Sequence, residues 1–312
     1  MKWEDFRRSD NIDDRRSDGE APEGPGGMFG GGGGGGGGLG IGTMIVLGIL
    51  GYMLGIDPRI LIGGAEMFNN FRGGGAVQER QIDPARKKQV DEANKNDPMR
   101  QFVSAVLAQN EDVWNDILPK QKNIRYVNPT LVLFSGYTRS ACGAAQSAMG
   151  PFYCPLDRKV YLDMSFFNDM KRKLGGGGDF AYAYVISHEI GHHVENLLGI
   201  LPKVQEAQQN ASSKAEANNL SVRVELMADC LAGVWAANAN QKWQVLEQGD
   251  IEKAMSTAAA IGDDRLQQQS RGYAVPDSFT HGSSAQRQQW FTQGLKTGQV
   301  DACNTFRRAS SN

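Results

Sequence analysis

The amino-acid sequence predicts an α+β fold that is mainly helical, contains a small β-sheet and is preceded by one transmembrane helix. Three observations carry this prediction. Several stretches repeat apolar residues at helical spacing, two short runs are rich in β-branched and aromatic residues, and eighteen consecutive residues carry no charge. The part of the 312-residue chain that follows the uncharged run is long enough to enclose one hydrophobic core.

The N-terminal third divides by composition. Residues 1–38 are almost entirely charged residues, proline and glycine, and we expect a disordered tail because little apolar surface offsets the entropy of ordering. Residues 39–56, LGIGTMIVLGILGYMLGI, would form a helix of roughly 27 Å, enough for a single uncleaved membrane anchor. A buried soluble helix fits the many glycines less well, and a cleaved signal peptide fits the long acidic flank less well. Residues 57–96 are expected to be a polar linker.

The folded domain is expected over residues 97–305, followed by a short tail at residues 306–312. Asp97 and Pro98 are typical of a helix start, and Pro119 is expected to end that helix. The runs TLVLFSGY and KVYLDMSFF predict two strands, the second with apolar residues alternating along one face.

Helices are predicted for most of the remaining domain. Asp179 can cap a helix that runs to Gly199 with an apolar stripe at core-facing spacing. The run LSVRVELMADCLAGVWAANAN predicts a largely buried helix, and two more helices are expected near residues 250–261 and 283–297.

Charge and cysteine content restrict the partners and the compartment. The net charge is -2, so no basic field favours a nucleic-acid partner. The possible disulfides are Cys142–Cys154 and Cys230–Cys303, and the alternative is four free, buried thiols. A bond across the short loop between Cys142 and Cys154 would favour an oxidising compartment, which places the large domain outside the cytoplasmic membrane.

The stretch VISHEIGHHVEN holds three of the four histidines in the chain. His188 and His192 are four residues apart, so one helix face can present both to a single cation. Glu189 lies one step around the helix and could take a proton from a water that zinc acidifies, as in zinc hydrolases. His193 lies on a different side of the helix, and we interpret it as a polar flank.

A third metal ligand is offered by the stretch RVELMADCLAG. Glu225 would complete a site of two histidines and one glutamate and leave a fourth position for water. Asp229, four residues later, would accept the N–H of a ligand histidine. An ordinary exposed acidic pair is the alternative. The apolar residues around the pair argue against it, because an uncompensated buried charge is costly.

His281 is the one histidine outside this motif, in the stretch PDSFTHGSSAQRQQWF. An imidazole can donate a hydrogen bond to the oxyanion that forms when a carbonyl is attacked, although a loop histidine more often has no such role. Arg287 would lie on the following helix and could order the acidic groups nearby.

The segments HEIGHH, ELMADCLAG and THGSSAQR, preceded by CGAAQSAMGPFYCPLDRKVYLD, resemble the bacterial neutral zinc metallopeptidase family, the YpfJ-like proteins. The resemblance covers nearly the whole chain and implies a zincin-like domain attached to the bacterial inner membrane. By this resemblance His188, His192 and Glu225 would bind Zn2+ and Glu189 would be the base. Asp229 would support a ligand, and His281 would stabilise the transition state.

A looser likeness connects the chain to membrane-linked zinc peptidases of the HtpX and Ste24 type. Those proteins share the HExxH helix, a later E-x-x-A-D and a final histidine with an arginine six positions on. They carry proline after that histidine, whereas this chain has Gly282. The local backbone near His281 is therefore expected to differ from theirs.

The leading hypothesis is a membrane-anchored, single-pass zinc endopeptidase with an extracytoplasmic catalytic domain and a peptide or protein substrate. KVYLDM would bind that substrate by strand addition. One alternative is an anchored binding or scaffold protein with a structural zinc, although such sites usually have four protein ligands. A second alternative is another amide hydrolase, such as a cell-wall amidase.

Overall fold

The computed structural model describes residues 1–17, 92–174 and 177–307. The expected anchor at residues 39–56 and most of the linker at 57–96 lie outside these residues. Among the helices that the structure describes, none is both long enough and apolar enough to cross a bilayer.

A four-stranded sheet and a separate hairpin form the β part of the fold. The sheet has the order β1-β2-β6-β5, in which β1, β2 and β6 are parallel and β5 is antiparallel to β6. The hairpin pairs β3 with β4. The strands are β1 (Ile12–Asp14), β2 (Thr130–Phe134), β3 (Tyr137–Ser140), β4 (Gly143–Gln146), β5 (Phe152–Cys154) and β6 (Lys159–Asp163).

The N-terminal residues are folded, so the prediction of disorder for residues 1–38 is wrong for residues 1–17. Ile12 lies opposite Leu131 in the parallel pairing of β1 with β2, and the Trp3 ring packs edge-on against Phe102. Composition misled the prediction because the charges of this segment are paired with charges of the domain. Backbone pairing also adds a three-residue strand with little apolar surface.

The strand β6 was predicted correctly, but its surroundings differ from the expectation. It lies between β2 and β5, so both of its edges are hydrogen-bonded. The side chains from Val160 to Asp163 are all buried, which replaces the expected alternation of a half-exposed strand. A peptide therefore has no free edge of β6 to pair with, and the expected strand addition to KVYLDM is wrong.

Helices make up most of the domain. They are α1 (Pro98–Lys122), α2 (Ser165–Leu174), α3 (Asp179–Leu197), α4 (Ile200–Gln209), α5 (Lys214–Trp243), α6 (Asp250–Ala260), α7 (Asp263–Arg271) and α8 (Ser284–Thr297). The helices α6 and α8 match the predicted ranges. The helices α2, α4 and α7 were not predicted, because α4 lies in a polar stretch and α2 follows β6 directly.

Two predicted helix boundaries are corrected by the structure. Asp97 caps α1 by accepting from the backbone N–H of Met99, as expected, but α1 continues through Pro119 to Lys122. A proline in the last turn removes one hydrogen bond without ending the helix. Asp179 does not cap α3, since its carboxylate accepts from the indole N–H of Trp3 at 2.9 Å.

The helices that bear the site residues are in backbone contact at glycines. A Cβ atom at Gly191 of α3 would lie 2.9 Å from the carbonyl oxygen of Ala228 in α5. A Cβ atom at Gly294 of α8 would overlap the carbonyl oxygen of Cys230 in α5. Any side chain at these positions would push the helices apart, so glycine sets their spacing.

Both of the possible disulfides are present. Cys142 and Cys154 join the turn between β3 and β4 to β5, with an S–S distance of 2.03 Å. Cys230 and Cys303 join the middle of α5 to the C-terminal end of the domain, with an S–S distance of 2.04 Å. The alternative of four free thiols is therefore wrong.

Candidate metal centre

Three side chains from two helices converge at one buried point. One ligand atom each of His188, His192 and Glu225 lies within 4.8 Å of the others. The two histidines come from α3 and the glutamate from α5, and all three side chains are buried. The structure thus brings together the three residues that the sequence predicted as ligands.

The imidazole rings of both histidines are oriented by carboxylates on their outer sides. Nδ1 of His188 lies 2.9 Å from Asp229 Oδ1, and Nδ1 of His192 lies 2.8 Å from Glu195 Oε2. The Nε2 atoms point towards Glu225, at 3.2 Å for His188 and 3.5 Å for His192. A carboxylate on Nδ1 fixes the tautomer that leaves Nε2 as a lone-pair donor, so this set of donors suits zinc.

The charges of the three candidate ligands are strongly coupled. Burial alone would lower the pKa of His188, but Asp229 and Glu225 outweigh it and raise the pKa to about 9. Burial likewise opposes the charge on His192, yet Glu225 and Glu195 raise its pKa well above the usual value. Burial would raise the pKa of Glu225, but the two histidines lower it well below its usual range. Without a metal, protons therefore take the place of the cation between these groups.

Asp229 connects three helices beneath the candidate ligands. It accepts two hydrogen bonds from the guanidinium of Arg287, at 2.8 and 2.9 Å, and a short hydrogen bond from the hydroxyl of Tyr184. Burial would raise the pKa of Asp229, but Arg287 and His188 lower it to about 2. The carboxylate therefore stays ionised and can hold His188 in place. The predicted positions of Asp229 and Arg287 beside the ligands are both found.

Glu189 lies beside the candidate ligands on α3 and is also buried. Burial raises the pKa of its carboxyl group, although His188 and His192 act in the opposite direction. A raised pKa brings a carboxylate closer to the range in which it can accept and release a proton near neutral pH.

His281 is buried near the end of the loop between α7 and α8, and this end of the loop is organised around Asp263. The backbone N–H groups of Thr280, His281 and Gly282 all donate to Asp263 Oδ2, and Nδ1 of His281 lies 3.2 Å from Oδ1. Burial would lower the pKa of His281, but Asp263 outweighs it and raises the pKa. The charge of His281 also helps to lower the pKa of Glu225, so the imidazole acts electrostatically on the metal centre.

His193 is not part of the cluster, as predicted, but it is not a polar flank either. Its ring is fully buried, with Nδ1 3.0 Å from the Tyr153 hydroxyl and Nε2 2.6 Å from the carbonyl oxygen of Val127. Burial lowers its pKa to about 4. His193 therefore packs α3 against β5 as a neutral core residue.

Three residues that surround the site, Glu195, Tyr184 and Asp263, were not predicted from the sequence. Glu195 follows His192 by three residues, and Tyr184 precedes His188 by four, so helical spacing could have indicated both. Asp263 is eighteen residues from His281, and no local pattern connects them.

The chain belongs to the putative neutral zinc metallopeptidase family, whose family model matches residues 1–306. Zn2+ is the metal that this family implies, and the cluster of two histidines and one glutamate could hold it.

The chain is 48% identical over 308 residues to the uncharacterized protein YpfJ of Escherichia coli (strain K12), which covers 98% of this chain and 99% of that protein. It is 45% identical over 207 residues to the uncharacterized protein Rv2575 of Mycobacterium tuberculosis (strain H37Rv), which covers 63% of this chain and 67% of that protein. No solved structure matches the chain. The looser likeness to HtpX and Ste24 stays a prediction.

The ion pair between Asp229 and Arg287 allows a prediction about the stability of the protein in acid. The pKa of Asp229 in the folded protein is about 2, below the usual 3.8. The stabilisation that Asp229 contributes is therefore complete above pH 3.8 and is lost as the pH falls through about 2. We expect Asp229→Asn to lower the stability of the metal-free protein by about 3–5 kcal/mol near neutral pH, because Arg287 stays buried without its partner. Urea unfolding between pH 2 and 7 measures the difference.

The difference between Asp229→Asn and wild type should shrink as the pH approaches 2, because a protonated aspartate resembles asparagine. Asp5→Asn, which removes an exposed carboxylate, is the matched control and should follow wild type throughout. A stability difference that does not change with pH would contradict the assignment.

Proposed function

We propose that this protein is a zinc-dependent peptidase that hydrolyses internal peptide bonds of a peptide or protein substrate. The observation that carries the proposal is the convergence of His188, His192 and Glu225, with Glu189 beside them, in one buried cluster. The cluster has three protein ligands among the residues that the structure describes, and catalytic zinc sites keep a fourth position open. A structural zinc would usually take four protein ligands, which disfavours the scaffold alternative.

In this proposal, different residues bind the metal, transfer the proton and orient the ligands during hydrolysis. When bound, zinc lowers the pKa of a coordinated water towards about 7 and polarises the substrate carbonyl. Glu189 accepts the proton of the attacking water and passes it to the leaving amine. Asp229 and Glu195 keep the two imidazoles oriented, so that the ligands need no rearrangement during the reaction.

His281 supplies a donor for the negative charge that develops on the carbonyl oxygen. Asp263 accepts from the backbone of the loop and faces Nδ1 of His281, which fixes the ring near Glu225. The raised pKa of His281 keeps more of the imidazole protonated at neutral pH, and a protonated ring is the stronger donor. Arg287 acts at a distance from the substrate, through Asp229.

The place of action that we propose is outside the bacterial cytoplasmic membrane. Both disulfides support it, because disulfides persist in oxidising compartments and are rare in reducing ones. Attachment to the membrane would come from the uncharged residues 39–56.

The proposal is tested by separating metal binding from chemistry in the full-length protein. Glu225→Ala should lose bound zinc, because it removes one ligand. Glu189→Gln should keep zinc while kcat for peptide cleavage falls by about 10²–10⁴-fold, because it removes the base. Metal analysis together with cleavage of a peptide library measures both. A wild-type protein without zinc, or a Glu189→Gln protein that cleaves like wild type, would refute the function.

Glu206→Gln is the matched control, because it neutralises an exposed glutamate on α4. It should leave zinc content and cleavage unchanged. Peptidoglycan assayed beside the peptides distinguishes a cell-wall amidase from a peptidase.

The role of His281 has a separate test. We expect His281→Ala to lower kcat by about 10²–10³-fold, the usual cost of removing one oxyanion donor, while zinc content stays at the wild-type level. Steady-state kinetics on the best peptide of the library, with metal analysis of the same sample, measures this. An unchanged kcat would remove His281 from the mechanism.

A further inference from the structure

Each of the two histidines of the metal centre contacts one carboxylate, and the two carboxylates differ in the number of hydrogen bonds that they make. The hydrogen-bonding capacity of Asp229 is filled by His188, Tyr184 and Arg287. Glu195 makes one hydrogen bond, with His192 at 2.8 Å, and its other oxygen has no partner among the residues that the structure describes. Its side chain is fully buried.

The buried charges near the cluster do not balance by themselves. Four carboxylates, those of Glu189, Glu195, Glu225 and Asp229, lie near the two histidines. Among the described residues Arg287 faces them as a guanidinium, and the imidazole of His281 acts on Glu225. That guanidinium is paired with Asp229. Among the residues that the structure describes, the ring of His192 is the hydrogen-bonding partner of Glu195, so a cation that compensates the carboxylate acts through that ring.

We propose that Glu195 is a positioning residue for the metal ligand His192. It holds Nδ1–H of His192, which directs Nε2 towards Glu225, and it makes the ring a stronger ligand. This inference rests on the proposed zinc site.

The test compares full-length wild type with Glu195→Gln, which keeps the size of the side chain and removes its charge. Zinc affinity is measured by competition with a chromophoric chelator, and the stability of the metal-free proteins is measured by urea unfolding. We expect a zinc affinity about 10–100-fold lower for Glu195→Gln. We also expect the metal-free variant to be at least as stable as metal-free wild type, because burying an amide costs less free energy than burying a carboxylate with one unpartnered oxygen.

Zinc affinity would thus fall while the stability of the metal-free protein would not. A purely structural role would lower both. A zinc affinity within threefold of wild type, or a metal-free variant less stable than wild type, would overturn the inference. Wild type that binds no zinc would refute the proposed function itself, so the two failures are distinguishable. Glu206→Gln is again the exposed control.

A second inference comes from the N-terminal arm, which we define as residues 1–17. Glu111 of α1 has a buried side chain whose partners come from the arm. It accepts from Arg7 Nη2 at 2.8 Å, from Ser9 Oγ at 2.6 Å and from Asn11 Nδ2 at 2.7 Å. The strand β1 of the arm adds the first parallel strand of the sheet. The arm therefore supplies the cation and the hydrogen-bond donors that this buried carboxylate requires, so the arm is part of the domain fold.

We infer that the arm and residues 92–307 lie on the same side of any membrane. Groups that exchange backbone and side-chain hydrogen bonds cannot be separated by a bilayer. Ser17 and Glu92 are therefore on one side. This inferred placement differs from the expected single-pass topology, in which the tail and the domain would lie on opposite sides.

Single introduced cysteines in the full-length protein test this topology in cells. Asp10→Cys lies in the arm and Lys203→Cys on α4, and both positions are exposed. Among the described residues the native cysteines are all in disulfides and do not compete for the label. Spheroplasts are treated with a membrane-impermeant maleimide, and lysed cells give the total. We expect both variants to be labelled to the same extent before lysis. Labelling of one and protection of the other would overturn the inference.

Discussion

The contact between Asp229 and His188 is the interaction on which the rest of the site depends. Its carboxylate joins an imidazole of α3, a guanidinium of α8 and its own helix α5 in one buried network. Such a network is stable when every member is satisfied, and it is costly when one is removed. The three helices are therefore held in one register, and that register brings Glu225 to the two histidines.

Much of the site was predictable because most of its residues lie four positions apart on a helix. His188 and His192 are four residues apart, as are Glu225 and Asp229, and each pair lies on one helix face. The meeting of the two pairs was predicted from the need for a third ligand, and the structure brings them together. The apolar environment of Glu225 was informative for the same reason, because a carboxylate buried there requires partners.

Other features could not be predicted because they depend on contacts between distant residues. The arm has the composition of a disordered tail. It is ordered by its contacts with Glu111 and by pairing with a strand that lies more than one hundred residues later in the sequence. The central position of β6 follows from sheet order, which alternation within one strand does not determine. Asp263 organises the loop of His281 from another helix. In each case the local pattern was compatible with several tertiary partners.

The glycine contacts at Gly191 and Gly294 have a consequence for how this architecture tolerates change. Main-chain atoms, not the volumes of side chains, determine how far α5 stands from its neighbours at these points. Apolar residues elsewhere in the core can then be exchanged during divergence without moving the metal-binding atoms relative to one another. Related proteins can therefore differ widely in their core side chains and keep the same arrangement of metal-binding atoms, provided that both positions remain glycine.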